Sequence, residues 1–189
     1  MNFSIIAAMH HSNRAIGTTD NKIPWSCPED MRFFRKLTMH TEDPNKVNAV
    51  IMGSNTWNSL GCKPLPNRLN IVLSRKMAWI NPREQSSRAV EPKVPSENIM
   101  ICSSLDEALH RLTSLPLVES AFVIGGQNVY EQALQHPLCI RVYLNKILVP
   151  FNQDISCNTF FPMIDYNKYE LLETSEYTTC INQIYARIL

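Results

Sequence analysis

Residues Ala121 to Leu134 read AFVIGGQNVYEQAL: an apolar run that ends in two glycines and passes into a helical pattern. A short, β-rich apolar run bounded by a turn signal is a buried strand. Gly125 and Gly126 mark the junction, and a helix follows over Gln127 to His136. VIMGSNTWNSL, Val50 to Leu60, repeats the arrangement, with a strand over Val47 to Met52, then Gly53, then a short helix over Asn55 to Leu60. Further strands are expected at Phe3 to Met9, Arg68 to Ser74, Glu97 to Cys102 and Ser120 to Gly125. Helices are expected at Pro28 to Met39 and Ser104 to Ser114. Strands alternating with helices predict an α/β fold, and near-continuous apolarity in the strands predicts a mostly parallel sheet covered on both faces. The tail differs. CIRVYLNKILV, KYELLETSEY and TTCINQIYARIL read as successive strands that reverse at ETSEYTT, an antiparallel edge at the C-terminal end.

The bulk properties narrow the class. The chain has 189 residues, 44% of them hydrophobic, which suits a single domain over residues 1 to 189. Its formal net charge is +1 and its 18 Lys and Arg are scattered, so no basic stripe points to nucleic acid. No apolar run approaches the roughly 20 residues of a membrane span, and MNFSIIAAM has no signal-peptide pattern. The six cysteines include no C-x-x-C pair and no accompanying His cluster, which argues against zinc and for reduced thiols in a cytoplasmic protein. No metal site is expected. Lys76 to Ser96, polar and with Pro82, Pro92 and Pro95, reads as a long surface loop.

The glycine junctions suggest a ligand. Glycine lets the backbone approach a bound group, and the helix N-terminus beyond it offers unpaired N–H donors. A glycine there also simply makes a turn, so one junction alone decides little. Here, however, the ends of three strands carry phosphate-compatible residues: Gly53 with Asn55 and Thr56, Gly125 with Gly126, and Ser74 with Arg75. In open α/β sheets, ligands lie at the carboxyl ends of the strands. Neither junction is G-x-G-x-x-G, so a dinucleotide would be held by a different architecture from the common one.

IPWSCPEDMRFF, Ile23 to Phe34, supplies the chemistry. On a helix, Glu29 shares a face with Arg32, Phe33 and Lys36, whereas Asp30 shares one with Phe33, Phe34 and Leu37. Ser26 and Glu29 match a capping box with Pro28 in the first turn, which gives Glu29 a structural role facing water. Asp30 turns inward, where its charged form is disfavoured without a donor or a cation. Such a carboxylate suits binding a donor-rich ligand or moving a proton. The bland alternative is a structural bond to a distant Arg or backbone N–H.

In this order along nearly the whole chain, SIIAAM, AIGTTDNKIPW, PEDMRFFRKLT, VIMGSNTWNSL, PLPNR, NIVLSR, FVIGGQNVYEQAL and NTFFP make the sequence resemble the dihydrofolate reductase family, on its eukaryotic side. The resemblance implies a single-domain dihydrofolate-reductase-like fold and reduction of 7,8-dihydrofolate with NADPH. It assigns Asp30, with Ile23 and Trp25 nearby, to the reaction. It assigns Ile6, Ala8, Met31, Phe34, Leu60, Leu65, Ile124, Tyr130 and Asn145 to the pterin and benzoyl walls, and Arg68 to the substrate's glutamate carboxylate. Ala15 to Ile23 matches a mobile closing loop, with Ile16 and Gly17 against the cofactor. Gly53, Ser54, Asn55, Thr56, Leu73, Ser74, Arg75 and Gly125 to Tyr130 (Gly125, Gly126, Gln127, Asn128, Val129, Tyr130), together with Ala8 and Ile23, match the cofactor contacts, and the Gly125–Gly126 peptide is expected to be cis. Asn145 stands where the family usually has a threonine bonded to the acid. Ser54, Asn55 and Asn128 are neutral near the expected 2′-phosphate, so NADPH preference rests on Arg75 and Lys76. The resemblance also implies antifolate inhibitors as ligands; a monomer is expected because nothing suggests an extended exposed apolar patch, and the charge and hydropathy patterns point to no nucleic-acid or membrane partner.

Overall fold

The computed structural model describes residues 1–20, 22–76, 98–150 and 155–188. Ten strands and four helices follow one another along the described chain: β1 (Phe3–His10), β2 (Ala15–Thr18), α1 (Pro28–Met39), β3 (Val47–Gly53), α2 (Ser54–Ser59), β4 (Arg68–Leu73), β5 (Ile99–Cys102), α3 (Leu105–Thr113), β6 (Val118–Gly125), α4 (Gln127–Gln135), β7 (Cys139–Ile147), β8 (Cys157–Phe160), β9 (Tyr169–Glu176) and β10 (Cys180–Arg187). An 8-stranded sheet runs in the order β5-β4-β3-β6-β1-β7-β10-β9. Pairing is parallel from β5 through β7 and antiparallel between β7 and β10 and between β10 and β9. The expected parallel sheet with an antiparallel edge is therefore the observed one, with a refinement. The CIRVYLNKILV strand belongs to the parallel part, beside β1, and the chain reverses only after it.

Continuous apolarity in the strands reflects two cores, one on each face of the sheet. Along β3, Ala49 and Ile51 join the large cluster beneath α3 and α4, where Leu105, Leu109, Leu112, Ala133 and Leu134 pack. The alternate residues Val50 and Met52 join Trp57 of α2 and Val72 of β4 on the other face. A strand covered on both sides has no polar face to display. Two polar residues inside these runs organise the chain ends instead. Asn48 donates to the carbonyls of Thr38 and His40 and accepts from Ser120 N, tying the end of α1 to β6. Asn70 accepts from Leu65 N and donates to Leu65 O, shaping the turn that leads into Arg68.

α1 begins one residue later than the capping-box reading requires. Its N-cap is Cys27, with no side-chain cap, so Ser26 and Glu29 form no box. The Thr179 hydroxyl instead donates to the Glu29 carboxylate. That side chain is half-buried against the β9–β10 reversal rather than turned to water. A capping interaction does form at α3, where Ser104 Oγ accepts from Glu107 N at 3.1 Å and Glu107 reaches back to Ser103 N at 2.7 Å. A small second sheet pairs β2 with β8. Its first strand occupies residues read from sequence as closing loop. Apart from Lys76, the expected Lys76 to Ser96 loop lies outside the described residues, as does Glu97 at the start of the strand predicted over Glu97 to Cys102. No helix among the described residues is long and apolar enough to cross a membrane.

Candidate active site

The register of the sheet brings the three predicted strand ends together. Gly53 lies opposite Leu73 of β4, and Met52 lies opposite Gly125 of β6, so the ends of β3, β4 and β6 stand abreast. The two glycine junctions face each other closely. A Cβ on Gly53 would come within 3.1 Å of Val129 Cγ2, and one on Gly126 within 3.4 Å of Thr56 Oγ1. Gly125 has φ +118° and lies against the Tyr130 ring, so a side chain there would be both strained and crowded. The Gly125–Gly126 peptide is cis, as expected. α4 starts at Gly126 with no side-chain cap. Val129 N and Tyr130 N both donate to Gly126 O, so the N–H groups of Gln127 and Asn128 are the ones left for solvent or an anionic ligand. Ser74 and Arg75 follow directly on β4, and Arg75 and Lys76 are exposed.

Asp30 sits in the first turn of α1 and is 9% exposed. Asn145 of β7, itself 1% exposed, donates through Nδ2 to Asp30 Oδ1 at 2.6 Å. Burial pushes the Asp30 carboxyl above the usual carboxylate range, and the Asn145 bond opposes that shift. Tyr130 of α4 is buried, donates its hydroxyl to Ile6 O at 3.0 Å, and resists ionisation through burial and then through the nearby Asp30 charge. The carboxylate thus has a single side-chain donor among the described residues, leaving its remaining acceptor capacity for a donor-bearing ligand.

Around this acid the walls are apolar but incompletely covered. Of α1, only Asp30 and Thr38 are buried. Phe33, Phe34 and Leu37, which share the face of Asp30, are half-buried, and Met31 is 57% exposed at the rim. Leu60, Leu65 and Ile124 come together against Val50, Met52 and Trp57. On β1 every residue is buried except Ala8, which packs with Trp25 against Cys27 and Ile147. Ile6 is buried and Ile23 is 59% exposed. Ile16 lies half-buried on β2, where Gly17 meets Thr159 so closely that a Cβ would fall 2.6 Å from its hydroxyl.

Arg68 opens β4 and is 4% exposed. It donates through Nη1 to Thr38 Oγ1 at 2.8 Å and through Nε to Pro66 O at 3.1 Å, and its guanidinium lies 5.8 Å from the centroid of the Phe34 ring. Burial, then the charge of Arg35, lowers its pKa. No carboxylate among the described residues pairs with it, so its unused donors suit an anionic group presented between Phe34 and Thr38. Thr38 was missed from sequence. It also donates to Phe34 O at 2.8 Å, so one hydroxyl fixes both the helix end and the cation. Its only sequence signal is a polar residue near the inward face of α1, two turns beyond Asp30.

Fold and site define the class: an α/β protein in which the carboxyl ends of parallel strands stand abreast, with glycine junctions near a buried acid. The chain belongs to the dihydrofolate reductase family, whose model matches residues 2–187. It is 36% identical over 166 residues to the dihydrofolate reductase of Heliothis virescens, covering 87% of this chain and 81% of that protein. It is 33% identical over 178 residues to that of Drosophila melanogaster, covering 93% and 87%. It is 40% identical over 163 residues to the bifunctional dihydrofolate reductase-thymidylate synthase of Daucus carota. That match covers 84% of this chain but only 28% of the bifunctional protein.

Proposed function

We propose that this chain is an NADPH-dependent reductase that converts 7,8-dihydrofolate to 5,6,7,8-tetrahydrofolate and so supplies one-carbon metabolism. The observation that carries the reading is the buried Asp30–Asn145 pair beside the facing glycine junctions. Family membership supports it. NADPH supplies the hydride when bound. The residues fit such a cofactor: Gly53, Gly125 and Gly126 leave the space that a Cβ would fill, and the uncapped start of α4 presents N–H donors. Ser54, Asn55, Thr56, Leu73, Gln127, Asn128 and Val129 would complete the cradle, with Ser74 and Arg75 toward the 2′-phosphate. With Ser54, Asn55 and Asn128 neutral, the preference for NADPH over NADH rests mainly on Arg75 and Lys76.

On the substrate side, Asp30 accepts from the pterin 2-amino group and N3, and favours protonation at N5. Asn145 keeps one carboxylate oxygen oriented, so the other faces the ring. Ile6, Ala8, Met31, Phe34, Leu60, Leu65, Ile124 and Tyr130 wall the pterin and benzoyl groups, and Trp25 backs them. Arg68 takes the glutamate α-carboxylate. Ile16, Gly17 and Ile23 border the nicotinamide end, where excluding water favours direct hydride transfer to C6 of the pterin. The same acid and walls would accept antifolate inhibitors with a protonated ring. We further read the chain as a single-domain monomer acting in the cytoplasm.

The test is absorbance at the NADPH band with and without dihydrofolate. Consumption that requires dihydrofolate, with Arg68→Leu raising its KM, supports the reading. Consumption indifferent to dihydrofolate, or an unchanged KM in Arg68→Leu, would move the substrate to a pterin or flavin precursor lacking the glutamate tail.

A further inference from the structure

Phe160, the last residue of β8, donates its N–H to a side chain of α4: Gln127 Oε1 accepts it at 2.8 Å. Gln127 opens α4, and its Nε2 donates to Glu131 Oε1, one turn on, at 2.9 Å. Glu131 thus holds the amide with its oxygen toward β8. The same two elements meet again where the Tyr130 and Phe161 rings lie edge to face, 5.1 Å between centroids. β8 in turn holds β2. Ala15 pairs with Phe160 and Gly17 with Thr159, and the register shifts twice along this short ladder. Phe161 N donates to Arg14 O at 2.8 Å, and Arg14 Nη1 donates back to Phe161 O at 2.8 Å. A two-stranded ribbon is marginal by itself in water, so its placement depends on what anchors it. Here one anchor is the first residue of the helix that faces the glycine junctions.

We propose that Gln127 is a positioning residue that couples the two ends of the cofactor site: an anion bound at its N–H fixes the residue whose side chain holds β8, and β8 holds the β2 segment beside the nicotinamide. The inference rests on the NADPH reading of the site. The backbone and the side chain of Gln127 have separate tasks. The N–H, left open at the start of α4, faces the phosphates, whereas the amide faces away to Phe160 N. With its backbone restrained by an anion, Gln127 loses less conformational freedom on closing the bond to Phe160, so the ribbon opens less often. The coupling is reciprocal: a seated ribbon strengthens anion binding by the same factor. Ile16 and Gly17 lie on β2, and a Cβ on Gly17 would fall 2.6 Å from Thr159 Oγ1, so movement of β8 reaches the nicotinamide border directly.

The test is hydrogen exchange of the full chain read by mass spectrometry, alone and with saturating 2′-phospho-ADP-ribose, which carries the cofactor's phosphates but no nicotinamide. In wild type, the fragment should slow exchange at the start of α4 and also over residues 14–19 and 155–161. Gln127→Met, similar in length but without the amide, should keep the slowing in α4. It should lose about threefold to tenfold of the fragment-induced slowing in the other two segments, the share of one hydrogen bond. Gln127→Glu, which still offers an acceptor to Phe160 N, should restore it. The ratio of bound to free exchange rates decides, because a merely structural bond would speed both alike and leave that ratio unchanged. If Gln127→Met does not fold, Glu131→Ala, which frees the amide to turn, should lower the same ratio. An unchanged ratio in the variant, or slowing confined to α4 in wild type, overturns the proposal and leaves the cofactor reading intact. A fragment that slows nothing in α4 removes the cofactor reading and the proposal with it.

Discussion

Replacing Asp30 with asparagine should abolish most turnover and yet leave the chain at least as stable. Burial raises the folded-state pKa of Asp30 above its ordinary 3.8. The folded chain therefore holds this proton to a higher pH than the unfolded chain does. The sign follows: the protonated acid stabilises the fold at low pH, and that contribution is lost as pH rises from about 3.8 through the folded value. At neutral pH the buried carboxylate is a net burden, offset by the 2.6 Å bond from Asn145. The Asp30→Asn side chain would keep that bond in neutral form, weaker by about 1 kcal/mol than a charge-assisted one. It would also remove the desolvation of a 9%-exposed charge, which in proteins is worth several kcal/mol. Asn145 Oδ1, buried and with no partner among the described residues, can accept from the new amide if the two side chains turn. The net expectation is a stability change between zero and about +2 kcal/mol, or up to roughly 8 °C in Tm at about 2–4 °C per kcal/mol for a chain of this size. The gain over wild type should grow with pH across the titration window. Turnover should fall by about 10²–10⁴, the usual share of a positioned acid or base. The assays are thermal unfolding from pH 4 to 8 and NADPH oxidation at saturating dihydrofolate. An Asp30→Asn chain that loses more than about 1 kcal/mol of stability, or keeps turnover within tenfold, would refute the reasoning.

Thr38→Val removes a fully buried hydroxyl that holds Arg68 and caps Phe34 O. It should cost about 1–3 kcal/mol and raise the dihydrofolate KM with little effect on kcat, readable by denaturant unfolding and steady-state kinetics. Gly125→Ala places a Cβ at φ +118° and 3.2 Å from the Tyr130 ring; equilibrium fluorescence titration should show NADPH affinity reduced at least tenfold, and unchanged affinity would dismiss the cradle. Glu29→Gln keeps a partner for the Thr179 hydroxyl, so its midpoint in urea should stay near wild type, while Glu29→Ala should lower stability by about 1 kcal/mol.

The helices and parallel strands were legible because each is written in local pattern: apolar runs for strands covered on both faces, and glycines where runs become helices. Asp30 was legible for the same reason, as the one acid sharing a helical face with Phe33, Phe34 and Leu37. What escaped depends on partners far along the chain. The Ser26–Glu29 box failed because α1 starts at Pro28, a one-residue slip that capping chemistry alone does not settle, and because Thr179 claims Glu29. β2 and β8 are short strands that pair only with each other, and nothing in AIGT alone distinguishes a strand from a loop. Asn48, Asn70 and Thr38 were visible as polar residues within apolar patterns, a signal worth reading as an organising group rather than as noise.

The bond between Asp30 and Asn145 also orders events in time. Its ends lie 115 residues apart, and the Glu29–Thr179 contact spans 150. A ribosome adding about 5–20 residues per second exposes α1 long before β7 exists to meet it. During that interval the acid is a solvated carboxylate on an unanchored helix, unable to grip a pterin. Catalytic competence would therefore arrive late and all at once, when the C-terminal strands close the sheet, and fragments released early from synthesis should be inert rather than partly active.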